Sequence, residues 1–288
     1  MSPSGTSKSN FRAAPNVALA ILPHMTQIRI GIGGWTYEPW RGGTFYPDGH
    51  PQKRELEYAS RAVTAIEVNG TYYSSFKPDT FAKWAAEVPD DFVFAVKASR
   101  YATNRKRLDE GAESIARFLG QGIVELGPKL GPVLWQLANT KKFDAQEIAG
   151  FLKLLPAKQD GVALRHAVQV RHDSFHVPEF VDMCRAANVA IVYADSAQYP
   201  AIADVTADFV YARLENAESR FAAGYAPSRL DEWAEAVRVW TKGGVPDGLP
   251  TFGAAAKRQA RDAFVFMING AKEKAPAAAM ALIERVEG

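Results

Sequence analysis

The chain has 288 residues, 47% of them hydrophobic and 23% charged, enough to bury one large core without staples. Single cores stop growing near about 250–300 residues, so one domain is expected. A net charge of +2 is too mild to imply nucleic acid by itself, and no apolar run approaches the ~20 residues of a spanning helix, so no membrane partner is expected.

Residues 1–26 open with polar MSPSGTSKSN and continue through NVALAILPH. Val17–Leu22 is short for a signal core, and no A-x-A-type site follows it. The reading is a disordered N-terminal extension over 1–26, a barrel domain over 27–288, and a cytoplasmic location by default. The single cysteine, Cys184, excludes an internal disulfide framework and a thiolate metal cluster. It falls in VPEFVDMCRAAN, where a packed helical thiol is the expectation.

From residue 28 onward, short apolar runs alternate with amphipathic stretches. Eight strands are predicted: Ile28–Gly33, Thr64–Asn69, Phe92–Lys97, Pro132–Leu137, Ala167–Arg171, Val189–Ala194, Phe209–Arg213 and Ala263–Ile268. Most are nearly continuous in apolar residues, as strands covered on both faces are. Helical spacing falls between them. It appears at Phe81, Trp84, Ala85 and Val88 after Pro78, and at Ala112, Ile115, Ala116 and Leu119. Asp144 with Glu147 three residues later signals a helix start before Ile148, Phe151, Leu152 and Leu155. Pro178, Ser228 and Pro276 open three more helices.

Strands alternating with helices imply parallel strands joined by crossovers, and closing eight of them gives an α/β fold: a single (β/α)₈ TIM-type barrel with a parallel eight-stranded core and helices outside. An open doubly wound sheet would want a Gly-rich phosphate turn. Gly31, Gly33 and Gly34 give G-x-G-G rather than G-x-G-x-x-G. Two connections look unusual: Ser196–Asp208 holds only a stub of helix, and Gly243–Arg261 reads as an inserted loop.

Barrels of this kind build their sites at the strand C-termini. Those positions are polar here. Trp35 and Tyr37 follow the first strand, and Glu67 and Asn69 end the second, with Tyr73 beyond. Lys97 ends the third, and Gln136 lies in the fourth. Gln169, Arg171 and Ser174 come from the fifth, Asp195 from the sixth, Arg213 and Glu215 from the seventh, and Asn269 from the eighth. Buried polar groups are costly unless paired, so such a set points to a site. Lys97, Arg171 and Arg213 are expected to converge on one anion, because Arg presents a planar fork to carboxylate or phosphate. Trp35, Tyr37, Tyr73 and Tyr101 offer stacking faces. Glu67, Asp195 and Glu215 are candidate proton-transfer groups, or simply partners of the cations. No cofactor is predicted. Five histidines without an H-E-x-x-H pattern do not support a metal, although a carboxylate-only Mg²⁺ or Mn²⁺ site of Glu67, Asp195 and Glu215 stands as an alternative.

The runs IGIGGWTYEPWRGGTFYP and LEYASRAVTAIEVNGTYYSSF, followed by LGPKLGPVLWQL, VQVRHDSF and TADFVYAR, are ordered as in one known family. Over roughly residues 28–286 the chain resembles the YecE-like family, domain of unknown function family 72. The resemblance implies a (β/α)₈-type barrel and no established activity. Where the family commonly has Glu, this chain has Gln169. Where the family has Leu-His-Gly, this chain has Leu214, Glu215 and Asn216, and a usual Asn-Asn is Ile268–Asn269. A carboxylate lost at strand five and gained at strand seven suggests an acid relocated within one pocket.

The leading functional reading is an enzyme or ligand-binding protein acting on a small anionic, phosphate- or carboxylate-bearing molecule. The alternative is a nucleic-acid binder using Arg41, Arg100, Arg105, Lys106 and Arg107 with Trp35 and Tyr101; a further one is a scaffold without chemistry. Sequence leaves the oligomeric state open.

Overall fold

The computed structural model describes residue 1 and residues 26–288. The extension expected over 1–26, including Val17–Leu22, therefore falls almost wholly outside the described residues.

Eight parallel strands close into a barrel: β1 (Ile28–Gly33), β2 (Ala65–Val68), β3 (Val93–Lys97), β4 (Leu130–Gln136), β5 (His166–Gln169), β6 (Ala190–Asp195), β7 (Phe209–Leu214) and β8 (Asp262–Met267). The order around the barrel follows the chain, with β1 pairing both β2 and β8. Every predicted strand is present, with ends within two residues of the expected ones. Helices on the outside are α1 (Glu55–Ala62), α2 (Pro78–Glu87), α3 (Ala112–Leu119), α4 (Ala145–Lys153), α5 (Pro178–Ala186), α6 (Pro227–Thr241) and α7 (Ala275–Glu287). Among the described residues, none is long and apolar enough to cross a membrane.

Helix α1 had no counterpart in the sequence reading, because its buried face is made of Leu56, Ala59, Ser60 and an ion-paired Glu55 rather than an apolar stripe. The capping signal before α4 is half realised. Asp144 Oδ1 accepts from the Glu147 backbone N–H at 2.8 Å. The Glu147 carboxylate instead turns inward, where it accepts from the Leu108 N–H and from Lys141 Nζ.

Strand alternation sorts the side chains. Outward residues such as Ile30, Ile66, Val96, Trp135, Val168 and Val210 join the layer beneath the helices. Inward residues form a second, smaller cluster: Ala65, Ala95, Leu134, Ala167, Val192, Phe209 and Phe264 fill the barrel's lower half. Burial of this apolar surface is the main stabilising term. Small residues let the barrel close tightly on one side. A Cβ on Gly31 would lie 1.8 Å from the Ala65 carbonyl oxygen, so only glycine fits where β1 meets β2.

The two unusual connections solve one problem together. Between β6 and β7 the chain forms no helix, which would leave that flank of the barrel bare. The loop before β8 covers it. Ala203 N–H donates to the Pro250 carbonyl, and Asp204 accepts from the backbone N–H groups of Phe252 and Gly253. Arg261 then pins the loop by donating to the carbonyls of Ala207, Gly243, Gln259 and Lys257.

Candidate functional site

At the upper, C-terminal end of the barrel the inward positions change from apolar to polar. Glu67 of β2, Lys97 of β3, Gln136 of β4, Gln169 of β5 and Arg213 of β7 all project inward and are buried. Arg213, 2% exposed, is the hub. Its Nε and Nη2 donate to Glu67 Oε2 and Oε1, both at 3.1 Å. Its Nη1 donates to Gln169 Oε1 at 2.7 Å and to Glu215 Oε1 at 2.8 Å. Gln136 Nε2 donates to Gln169 Oε1 at 2.7 Å, and the Tyr211 hydroxyl donates to Glu67 Oε2 at 2.7 Å. Bidentate pairing of this kind makes a buried charge tolerable. Burial pushes the Glu67 carboxyl upward, but Arg213, Lys97 and the two hydrogen-bonding partners outweigh it, leaving Glu67 below the usual carboxylate range.

This network corrects one expectation. Arg213 does not join Lys97 and Arg171 as a free anion donor, because its guanidinium is committed to Glu67, Gln169 and Glu215. The physical reason is its depth: a fully buried guanidinium must be neutralised by groups of the protein itself.

Lys97 and Arg171 are different. Among the described residues neither makes an ion pair. Lys97 Nζ sits 4.4 Å from the ring centre of Tyr72, and the Arg171 guanidinium 4.2 Å from that of Tyr199. The buried Nε of Arg171 has no hydrogen-bond partner. Burial, reinforced by Arg213 and Arg171 and opposed by Glu67, pulls Lys97 down to about 8. Burial likewise lowers Arg171. Three cations thus share the mouth with two carboxylates, Glu67 and Glu215, leaving an excess of one positive charge.

The remaining candidates separate. Glu215 Oε1 is held by Arg213 and, at 3.4 Å, by Gln169 Nε2. Asp195 lies to one side, its Oδ1 accepting from Arg229 Nη2 at 3.3 Å. The three carboxylates therefore do not open toward one point, and among the described residues no group of three His, Cys, Asp or Glu side chains is arranged to hold a metal. The histidines serve elsewhere: His166 Nδ1 accepts from Trp135 Nε1, and His176 stacks on Phe252.

Trp35, Tyr37 and Asn69 line a cleft of about 360 Å³ beside the mouth, with Phe76, Trp84 and Lys272. Trp35 packs edge-on against Trp84, and Lys272 lies 4.5 Å over the Tyr37 ring. Tyr73 is 65% exposed, whereas its neighbour Tyr72 faces Lys97. The helical turn Gly70–Tyr73 rotates successive side chains apart, and strand-like counting favours the wrong one. Ser174 is a structural brace: its Oγ accepts from the Phe143 N–H and meets His172 Nδ1. Asn269 is exposed at the rim. Tyr199, Tyr211 and Lys272 were missed. Their signal, aromatic or cationic side chains near strand ends, is present in the sequence but too common to single out.

The basic run after β3 is largely spent internally. Arg105 donates to Ser114 Oγ and to the carbonyls of Glu110, Arg107 and Tyr101, and Arg107 forms a bidentate pair with Asp109.

A closed parallel barrel with an ionic upper layer defines a TIM-barrel protein whose candidate site is at the strand C-termini. The model of the "Protein of unknown function DUF72" family matches residues 29–288, and the chain belongs to that family. It is 28% identical over 152 residues to the UPF0759 protein YecE of Escherichia coli K12. The match spans 51% of this chain and about half, 50%, of that relative's length. The structure is similar to a DUF72 family protein from Thermotoga maritima (TM-score 0.70, 21% identity, covering 91% of this chain and 100% of that one). It is also similar to one from Enterococcus faecalis (TM-score 0.63, 16% identity, 91% and 96%). Both likenesses bear on the fold.

Proposed function

We propose that the barrel mouth binds a small anionic molecule carrying a phosphate or carboxylate, and that the protein is an enzyme acting on it. The observation that carries this reading is the pair Lys97 and Arg171: two cations at the strand ends, each lying against a tyrosine ring, with no carboxylate of their own. An unpaired charge removed from water is destabilising unless a ligand compensates it. Arg213 would hold the pocket together rather than touch the anion. Glu67 is fully engaged, but Glu215 keeps Oε2 without a partner among the described residues. That makes Glu215 the candidate proton-transfer group, with Lys97 the second, since an amine near 8 exchanges protons close to neutrality. The aromatic cleft of Trp35 and Tyr37 would take the uncharged part of the molecule. No metal or cofactor enters the proposal, and a cytoplasmic setting is assumed. The commitment of Arg105 and Arg107 to local partners favours a small anion over nucleic acid.

The test is thermal melting with inorganic phosphate, ribose 5-phosphate and citrate. A ligand at about 100 times its dissociation constant adds about 2.7 kcal/mol to the folded state. Stabilisation of the wild type that is lost in Arg171→Gln supports the reading. A flat response to all three, or one unchanged in Arg171→Gln, overturns it.

A further inference from the structure

Besides Lys97 and Arg171, a third cation at the mouth lacks a carboxylate of its own. Lys272 follows β8, and among the described residues its ammonium makes no hydrogen bond or ion pair. The adjacent Glu273 is turned elsewhere, its Oε1 accepting from Ser219 Oγ at 2.7 Å. Lys272 is half-buried, and its Nζ stays open to solvent. Its position is fixed by aromatic residues. Trp40 Nε1 donates to the Lys272 carbonyl at 2.9 Å, and Lys272 Nζ lies 4.5 Å from the ring centre of Tyr37 and 5.9 Å from that of Trp40. Burial pulls the ammonium below the usual lysine range, and Glu67 opposes that shift from beyond ion-pair distance. Glu67 is itself committed to Arg213. With Lys272 counted, Lys97, Arg171, Arg213 and Lys272 face only Glu67 and Glu215, an excess of two positive charges.

Strand order sets out the two ends of the site. Around the barrel β8 is followed by β1, β2 and β3. Lys272 comes after β8, Lys97 ends β3, and the cleft of about 360 Å³ is built from the ends of β1 and β2 between them. A cation therefore stands on each side of the cleft, and among the described residues Lys272 is the one charged side chain that lines it. The walls between are flat and apolar. Trp84 packs against Trp35 and Phe76 with ring centres 5.1 and 5.2 Å apart, surface suited to a planar group. A partly desolvated ammonium without a counter-charge is destabilising, and a ligand anion removes that cost.

We infer that the ligand of the barrel mouth carries two anionic groups joined by a flat apolar segment. One group is bound by Lys97 and Arg171 and the other by Lys272, with the segment in the aromatic cleft between them. This inference rests on the anion reading and adds to it the second charged group and the residue that receives it.

Isothermal titration calorimetry on the full-length protein, at constant ionic strength, compares phenyl phosphate with two bis-anions, 4-carboxyphenyl phosphate and 4-(2-carboxyethyl)phenyl phosphate. All three share the phosphate and the ring, and only the bis-anions carry a carboxylate. At least one bis-anion should bind about tenfold more tightly than phenyl phosphate, the gain of one hydrogen bond between charged groups. In Lys272→Met that ratio should fall to about one, and the variant should melt no lower than the wild type, since an unpaired ammonium has been removed. Binding of phenyl phosphate with no gain for either bis-anion overturns the inference and leaves the anion reading standing. A gain that persists in Lys272→Met overturns it as well. Failure of all three compounds to bind overturns both.

Discussion

Arg213 and Glu67 lie on strands separated by β8 and β1 around the barrel, 146 residues apart in sequence, and meet through two hydrogen bonds of 3.1 Å each. This pair ties β7 to β2 across the upper core and fixes the floor of the mouth. A buried pair is not strong evidence of net stabilisation, but removing one partner leaves an isolated charge and costs about 3–5 kcal/mol.

Glu67→Gln should therefore lower stability at pH 7 by roughly that amount. The effect should depend on pH in one direction. The folded-state value of Glu67 is depressed below its unfolded value, so its contribution is fully present above the unfolded value of about 4.3 and is lost as pH falls through the folded one. Urea unfolding midpoints at pH 7 and pH 3 provide the check: the gap between wild type and variant should shrink in acid.

Lys97 has the opposite sign. Its folded value, about 8, lies below the unfolded value of about 10.4. The buried ammonium is a burden at neutral pH that fades as pH rises from 8 toward 10.4, where both states lose the proton. Lys97→Met should be more stable than wild type at pH 7, by up to about 3 kcal/mol, with the difference closing near pH 10. The same variant should lose stabilisation by inorganic phosphate, which separates a binding role from a packing role.

Gln169 and Glu215 bear on the same guanidinium group. Exchanging them, Gln169→Glu with Glu215→Gln, should keep the charge on Arg213 and change stability by less than about 1 kcal/mol. Glu215→Gln alone should cost more, because Arg213 then keeps one carboxylate. A double-mutant cycle read by denaturant unfolding measures this coupling directly. Additive single effects would show that the two positions do not share one site.

Gly31→Ala tests the close approach of β1 and β2. A Cβ at 1.8 Å from a backbone carbonyl forces strand displacement, and overpacking of this kind costs about 1–3 kcal/mol or more. Loss of soluble expression, or a melting temperature lower by several degrees, is the expected result.

Much of the fold was legible because it rests on short-range rules. Ile28–Gly33 and Phe209–Leu214 are apolar on both faces apart from Arg29 and Arg213, as strands between helices and a packed interior are. Pro178 marks the first turn of α5, where a missing N–H does no harm. The polar character of the strand ends was legible too, since Glu67, Lys97, Gln169 and Arg213 interrupt apolar runs. Helix α1 was not, because its inward face is small and partly ionic; the helix-poor connection between β6 and β7 was legible, but not that the loop before β8 packs over it.

What sequence by itself determined is the class of architecture and the polar character of the strand ends, through periodicities of two and 3.6 that each segment carries alone. Tertiary structure decided which of those residues pair: Arg213 with Glu67, Gln169 and Glu215, and Asp195 with Arg229, with Lys97 and Arg171 left over. That choice depends on depth and on strand register around a closed barrel. Both arise only when segments far apart in the chain meet in a medium where an unmatched charge is costly.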